Sequence, residues 1–180
     1  MRIIAGTHRG QRIAAPKGTA TRPTSDRVRE NAFNLIGPVD GAEVLDLFAG
    51  SGALGLEALS RGAERAVFWE TSPAATRVLR GNVERLGYGD RAEVRRREAA
   101  RGMAQDVAAG VTYQLLLLDP PYTMLAALQE DFSLHLPHLL VPGGLAVVES
   151  ASGEPPLALP LTIDTTRVHG ATRLTVYVNG

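Results

Sequence analysis

The sequence predicts an α/β protein: an open, mostly parallel sheet with helices on both faces. Three observations carry this. From Glu43 onward, short apolar runs alternate with stretches of helical period. The first of those runs ends in a glycine-rich turn. Leu115 to Leu118 is a continuous apolar run, as a strand buried on both faces requires.

Taken in order, residues 2–6 and 11–15 are short apolar-bearing runs that can pair as a hairpin around His8-Arg9-Gly10. Pro16-Lys17-Gly18 breaks that pattern, and residues 15–24 read as a linker. Thr24 or Ser25 caps a helix beginning at Asp26, with Val28, Ala32, Leu35 and Ile36 at helical spacing and Gly37-Pro38 as its stop. Val44–Phe48 is the first strand of the body, Leu54–Leu59 a helix, and Ala66–Trp69 the next strand. Pro73 to Leu86 is helical, Ala92–Arg97 a weaker strand, and Ala99–Ala109 another helix. After Leu115–Leu118 comes a helix over Leu125–Leu140, disturbed near its end by Pro137. Pro142-Gly143-Gly144 turns into a buried strand at Leu145–Val148. Leu161–Val168 and Arg173–Val178 flank Gly170 and can form an antiparallel edge.

A chain of 180 residues with 44% apolar and 21% charged side chains is enough for one globular domain. No run approaches a membrane span, and Met1-Arg2-Ile3-Ile4 lacks the apolar core of a signal peptide, so a cytoplasmic protein is expected. There is no cysteine, which excludes disulfides and thiolate metal sites. His8, His135, His138 and His169 show no ligand spacing, so no metal is expected. The formal net charge is zero, but residues 1–31 carry seven basic and two acidic side chains, hence +5, leaving −5 on the rest. A basic arm on an acidic body points to a polyanionic partner. The organisation expected is an arm over 1–22 and a catalytic domain over 23–180.

The glycine-rich turn reads Asp46-Leu47-Phe48-Ala49-Gly50-Ser51-Gly52-Ala53-Leu54-Gly55. Gly50, Gly52 and Gly55 satisfy G-x-G-x-x-G between a strand and a helix. Glu70 ends the second strand 20 residues after Gly50, where a carboxylate can accept both hydroxyls of a ribose. These features alone fit NAD and S-adenosylmethionine equally. Asp46 tilts the choice: a carboxylate there suits the ammonium of a methionine moiety and repels a pyrophosphate. Glu98, or the backbone beside it at Ala99, can meet the adenine amine after the third strand. Trp69, Phe33 and Phe132 read as core.

Asp119-Pro120-Pro121-Tyr122 follows the fourth strand, on the same rim as Asp46, Glu70 and Glu98. That rim is where an open parallel sheet binds ligands. An exocyclic base amine is a poor nucleophile, because its lone pair delocalises into the ring. It needs two acceptors for its two N–H donors, placed so that the nitrogen can pyramidalise. The Asp119 carboxylate is one and the Pro120 carbonyl can be the other. Prolines add no competing N–H and keep the preceding residue extended. Tyr122 offers a ring for the target base to stack on. Catalysis is then in-line positioning plus stabilisation of positive charge developing on nitrogen.

On these residues the chain resembles the bacterial 16S ribosomal RNA guanine-N2 methyltransferases that modify guanine 966 of the small-subunit RNA. The resemblance covers nearly the whole chain: Met1 to Gly6, Arg22 to Glu30, Val44 to Gly55, Glu70, Asp119 to Tyr122, and Pro142-Gly143-Gly144. It implies a Rossmann-like class I methyltransferase with a seven-stranded, mostly parallel sheet and an N-terminal β-hairpin extension. It implies S-adenosylmethionine as cofactor, held by Asp46, Phe48, Ala49, Gly50, Ser51, Gly52, Glu70, Glu98 and Ala99, and catalysis by Asp119, Pro120, Pro121 and Tyr122. The implied partner is 16S ribosomal RNA, in the small subunit or its precursor. Arg2, Arg9, Arg12, Lys17, Arg22 and Arg27 are the expected RNA contacts. One position departs from the family: Arg97-Glu98-Ala99 stands where Gly-Asp-Ala is usual. Arg95-Arg96-Arg97 can add phosphate contacts or be a solvated edge. Rival readings are an amino-methyltransferase acting on DNA adenine, DNA cytosine or a protein glutamine, an NAD oxidoreductase, and a non-enzymatic RNA-binding protein of the same fold.

Overall fold

A computed structural model describes residues 1–16 and 25–180. Lys17, Arg22, Thr24 and most of the expected linker lie outside the described residues. The elements are α1 (Asp26–Ile36), β1 (Glu43–Asp46), α2 (Ala53–Ser60), β2 (Arg65–Trp69), α3 (Pro73–Arg85), β3 (Ala92–Arg95), α4 (Ala99–Ala108), β4 (Tyr113–Leu118), α5 (Tyr122–Leu139), β5 (Leu140–Ala151), β6 (Thr162–His169) and β7 (Thr172–Val178). The sheet runs β3-β2-β1-β4-β5-β7-β6. β1 to β5 are mutually parallel, whereas β7 pairs antiparallel with both β5 and β6.

Strand alternation divides the core into two layers. Val44, Ala66, Phe68, Leu115, Leu117 and Val147 face one apolar cluster, with side chains from α1, α2 and α3. Leu45, Val67, Trp69, Leu116, Leu118 and Val148 face the other, with α4 and α5. The central strands β1, β2 and β4 are buried on both sides, which is why their sequences read as apolar runs rather than as alternation. Phe33, Trp69 and Phe132 are core residues. The order β3-β2-β1-β4 reverses direction at β1, so the carboxyl ends of β1 and β4 flank the switch point.

Ser25 caps α1, its hydroxyl accepting from the Val28 N–H. Pro137 lies within the last turn of α5, which runs on to Leu139. Pro142 to Gly144 fall inside β5, at a register shift between the Tyr113–Leu140 and Leu115–Leu145 pairs.

The N-terminal runs form one antiparallel bridge, Arg2 with Arg12, rather than two strands. The N–H groups of Ile4 and Ala5 turn instead to the two carboxylate oxygens of Glu57 in α2, at 2.8 and 3.0 Å. Gly6 passes so close to the end of α2 that a Cβ there would stand 1.6 Å from the Ser60 carbonyl oxygen. Ile3 and Ile13 are buried in the core beside α2 and α3.

Candidate functional site

The site is built on the carboxyl rim of the sheet. Asp46, the last residue of β1, is wholly buried. Its Oδ2 accepts the Gly55 N–H of α2 at 3.1 Å, while Oδ1 is buried with no hydrogen-bond partner. Burial pushes its carboxyl up to about 7, and the neighbouring Asp119 and Glu70 carboxylates push in the same direction. A buried acceptor without a donor is costly, and a bound ligand can supply one.

The glycine-rich turn wraps past this carboxylate. Gly50 takes a positive φ of 53°, and a Cβ built on it would meet nothing within 4 Å, so its backbone faces open space. Phe48 is half-buried, and Ala49, Ser51 and Gly52 are buried. Glu70 closes the turn from β2: Oε2 accepts the Gly50 N–H at 2.8 Å and Oε1 the Ser72 N–H at 2.7 Å. Each oxygen keeps a further lone pair for a hydroxyl.

Glu98 is exposed and serves as N-cap of α4. Its oxygens accept the Ala100 and Arg101 N–H groups, both at 2.9 Å, and Ala99 behind it is buried. The longer side chain therefore folds back on its own helix. Of the neighbouring arginines, Arg95 pairs with Glu93 and Asp106, and Arg97 pairs with Asp106 at 2.6 Å and lies over the Trp69 ring. Arg96 alone of the three is exposed.

Asp119 and Pro120 leave β4 half-buried and buried, and Pro121 caps α5. Tyr122 is thus the first helical residue, not a loop residue. The residue is 42% exposed, yet its hydroxyl donates to Glu149 Oε1 at 3.2 Å and lies 3.3 Å from the Thr172 hydroxyl. Burial, with the adjacent carboxylates of Glu149 and Asp119, raises the Tyr122 phenol above its ordinary value. Glu149, buried near the end of β5, was not anticipated from sequence. The signal was there: it is an acid following the apolar run Leu145–Val148, as Asp46 and Asp119 follow theirs.

The expected RNA contacts separate. Arg9, Arg12 and Arg27 are exposed and enter no ion pair among the described residues. Arg2 is exposed but pairs with Asp26 at 3.4 Å. Arg29, counted in the basic balance of the arm, is wholly buried, pairing with Asp26 at 3.0 Å and Glu57 at 3.4 Å. His8 lies against Tyr88, 2.7 Å from its hydroxyl. Among the described residues no cluster of metal-ligating side chains occurs, and no helix is long and apolar enough to cross a membrane.

The cradle fits S-adenosylmethionine. An orphaned carboxylate oxygen suits an ammonium, and an acceptor-rich rim suits a cationic sulfonium, where a pyrophosphate would be repelled. Sheet order, antiparallel β7 and this rim define a Rossmann-like class I methyltransferase, the S-adenosylmethionine-dependent class. A protein-family model described as "Conserved hypothetical protein 95" matches residues 1–178. The chain belongs to this family, together with the ribosomal RNA small subunit methyltransferases D. That protein of Haemophilus influenzae is 35% identical over 157 residues, covering 86% of this chain and 81% of the relative. The Escherichia coli protein is 43% identical over 123 residues, covering 68% of this chain and 60% of the relative's length. The solved structure of a hypothetical protein from Thermus thermophilus superposes with a TM-score of 0.83 at 35% identity, covering 98% of each chain.

Proposed function

We propose that the chain transfers the methyl group of S-adenosylmethionine to the exocyclic N2 amine of a guanine in 16S ribosomal RNA, acting in the cytoplasm on the small subunit or its precursor. The observation that carries this reading is the placement of Asp119-Pro120-Pro121-Tyr122 at the end of β4, next to the buried, half-satisfied Asp46 carboxylate. The names of the E. coli and H. influenzae relatives support ribosomal RNA as the substrate class.

Asp46 would hold the cofactor's ammonium, Glu70 its ribose hydroxyls, and the backbone of Phe48 to Gly52 the methionine moiety; Glu98 and Ala99 border the adenine. When bound, the cofactor supplies an electrophilic methyl group. Asp119 accepts one N–H of the target amine and the Pro120 carbonyl the other. Together they hold the nitrogen so that its lone pair points in line. The same carboxylate stabilises the positive charge developing there, and takes the proton that the methylated nitrogen then releases. Tyr122, its hydroxyl tied to Glu149, presents a fixed ring to a base that has left its stack. Arg9, Arg12 and Arg27, with Arg2, Lys17 and Arg22, would hold the phosphate backbone without reading sequence.

The test is methyl transfer from labelled S-adenosylmethionine to three substrates presented separately: unmodified 16S RNA, duplex DNA and soluble protein. Label in the RNA alone is expected. Label in DNA or protein, with none in RNA, would replace this reading.

A further inference from the structure

Asn82 is wholly buried on α3, and its amide is engaged in two directions. Oδ1 accepts the Ala14 N–H at 2.8 Å, and Nδ2 donates to the Ala14 carbonyl at 3.0 Å. Nδ2 also donates to the Ser51 carbonyl at 2.9 Å. Ala14 lies at the end of the described N-terminal segment, and Ser51 between Gly50 and Gly52 of the turn. One buried side chain therefore joins two segments far apart in sequence. Only an amide can do this, because one backbone partner is a donor and two are acceptors. A carboxylate would face two carbonyl oxygens, and an apolar side chain would leave three backbone groups unsatisfied.

The neighbourhood reinforces the join. Arg85, three residues along α3, donates to the Arg12 carbonyl and to Asn82 Oδ1, both at 3.3 Å. Ile13 is buried in the same cluster as Leu79 and Val83 of α3. The arm cannot shift against α3 without disturbing the amide that also holds Ser51.

We propose that Asn82 is a positioning residue that couples RNA contact at the arm to cofactor binding at the glycine-rich turn. The inference rests on reading the turn as the cofactor site and the arm as an RNA contact. RNA that fixes residues 9–14 holds Asn82, and through Ser51 keeps the turn in its ligand-binding shape. By linkage each ligand then raises the affinity of the other by the same factor.

The experiment measures the affinity of the full chain for S-adenosylhomocysteine by calorimetry, with and without saturating 16S RNA. For the wild-type chain the ratio of the two affinities should be roughly tenfold, within the usual span of such couplings. In Asn82→Ala both ligands should still bind separately, while the ratio falls to about one. A purely structural role would lower the melting temperature and leave the ratio alone. Arg85 is exposed, so Arg85→Ala should fold normally and guards against loss of fold in the first variant. Its ratio should fall part of the way. A wild-type ratio of one, or ratios unchanged in the folded variants, would overturn the coupling while leaving the two sites standing. Failure of the wild-type chain to bind S-adenosylhomocysteine at all would instead overturn the reading of the turn, and the coupling with it.

Discussion

Asp46 is the residue whose chemistry depends most on its surroundings. Its carboxyl sits at about 7 because it is buried near two other carboxylates. A cationic ligand favours the ionised form, so it must displace the proton wherever the pH lies below that value. Affinity for S-adenosylhomocysteine should therefore rise roughly tenfold per pH unit up to about 7 and level off above it, with proton release on binding at pH 6. Calorimetry in buffers of different ionisation enthalpy reads both effects, and a flat profile would remove Asp46 from the ligand site. For folding the sign is opposite. The native state holds this proton more tightly than the unfolded chain, so the contribution of Asp46 to stability is full below about 4 and is lost as pH rises through about 7. Glu70 has a different part: it bonds the Gly50 N–H and would also accept ribose hydroxyls. Glu70→Ala should weaken S-adenosylhomocysteine binding by about 1–3 kcal/mol. Equal affinity in a folded variant would place the ribose elsewhere.

At the level of elements, α2 does more than follow the glycine-rich turn. Its buried Glu57 receives Ile4 and Ala5 and pairs with Arg29 and Arg61. Glu57→Gln would leave the buried Arg29 charge without its buried counter-charge, only the part-exposed Asp26 remaining, and should cost about 3 kcal/mol of stability. A melting temperature within a degree of wild type would show that the arm is held by its apolar contacts alone. This arrangement also marks what could be read from sequence. The central strands were legible because each is an apolar run closed by a turn or an acid, and the acids at the ends of β1, β2 and β4 pointed to the candidate site. The joins between the arm and the body were not. Ile4 and Glu57 are 53 residues apart, Ala14 and Asn82 68, and no local pattern connects either pair. Arg29 looked like surface charge by composition and proved to be buried in an ion-pair network. Glu98 differs from the family's usual residue, and only the fold shows its carboxylate capping α4.

Over the whole molecule, the sequence sets a basic N-terminal segment against an acidic body, and Asp46, Glu70 and Asp119 gather at the carboxyl rim of the sheet. An acidic rim repels phosphate, so the proposed function has the arm hold the RNA backbone while a single base enters the site. Replacing both Arg9 and Arg12 with Ala should weaken RNA binding and lower the slope of log affinity against log salt by about 1–2. An unchanged slope in filter-binding titrations would move the phosphate contacts off the arm. The central claim, that the Asp119 loop methylates an exocyclic guanine amine of 16S RNA, is tested most directly by nucleoside analysis of RNA treated with the wild-type chain and with Asp119→Ala. The account predicts N2-methylguanosine from the wild-type chain, and a loss of roughly a hundredfold or more in Asp119→Ala with S-adenosylhomocysteine binding retained. A different methylated nucleoside, or near-normal N2-methylguanosine from Asp119→Ala in single-turnover reactions, would contradict it.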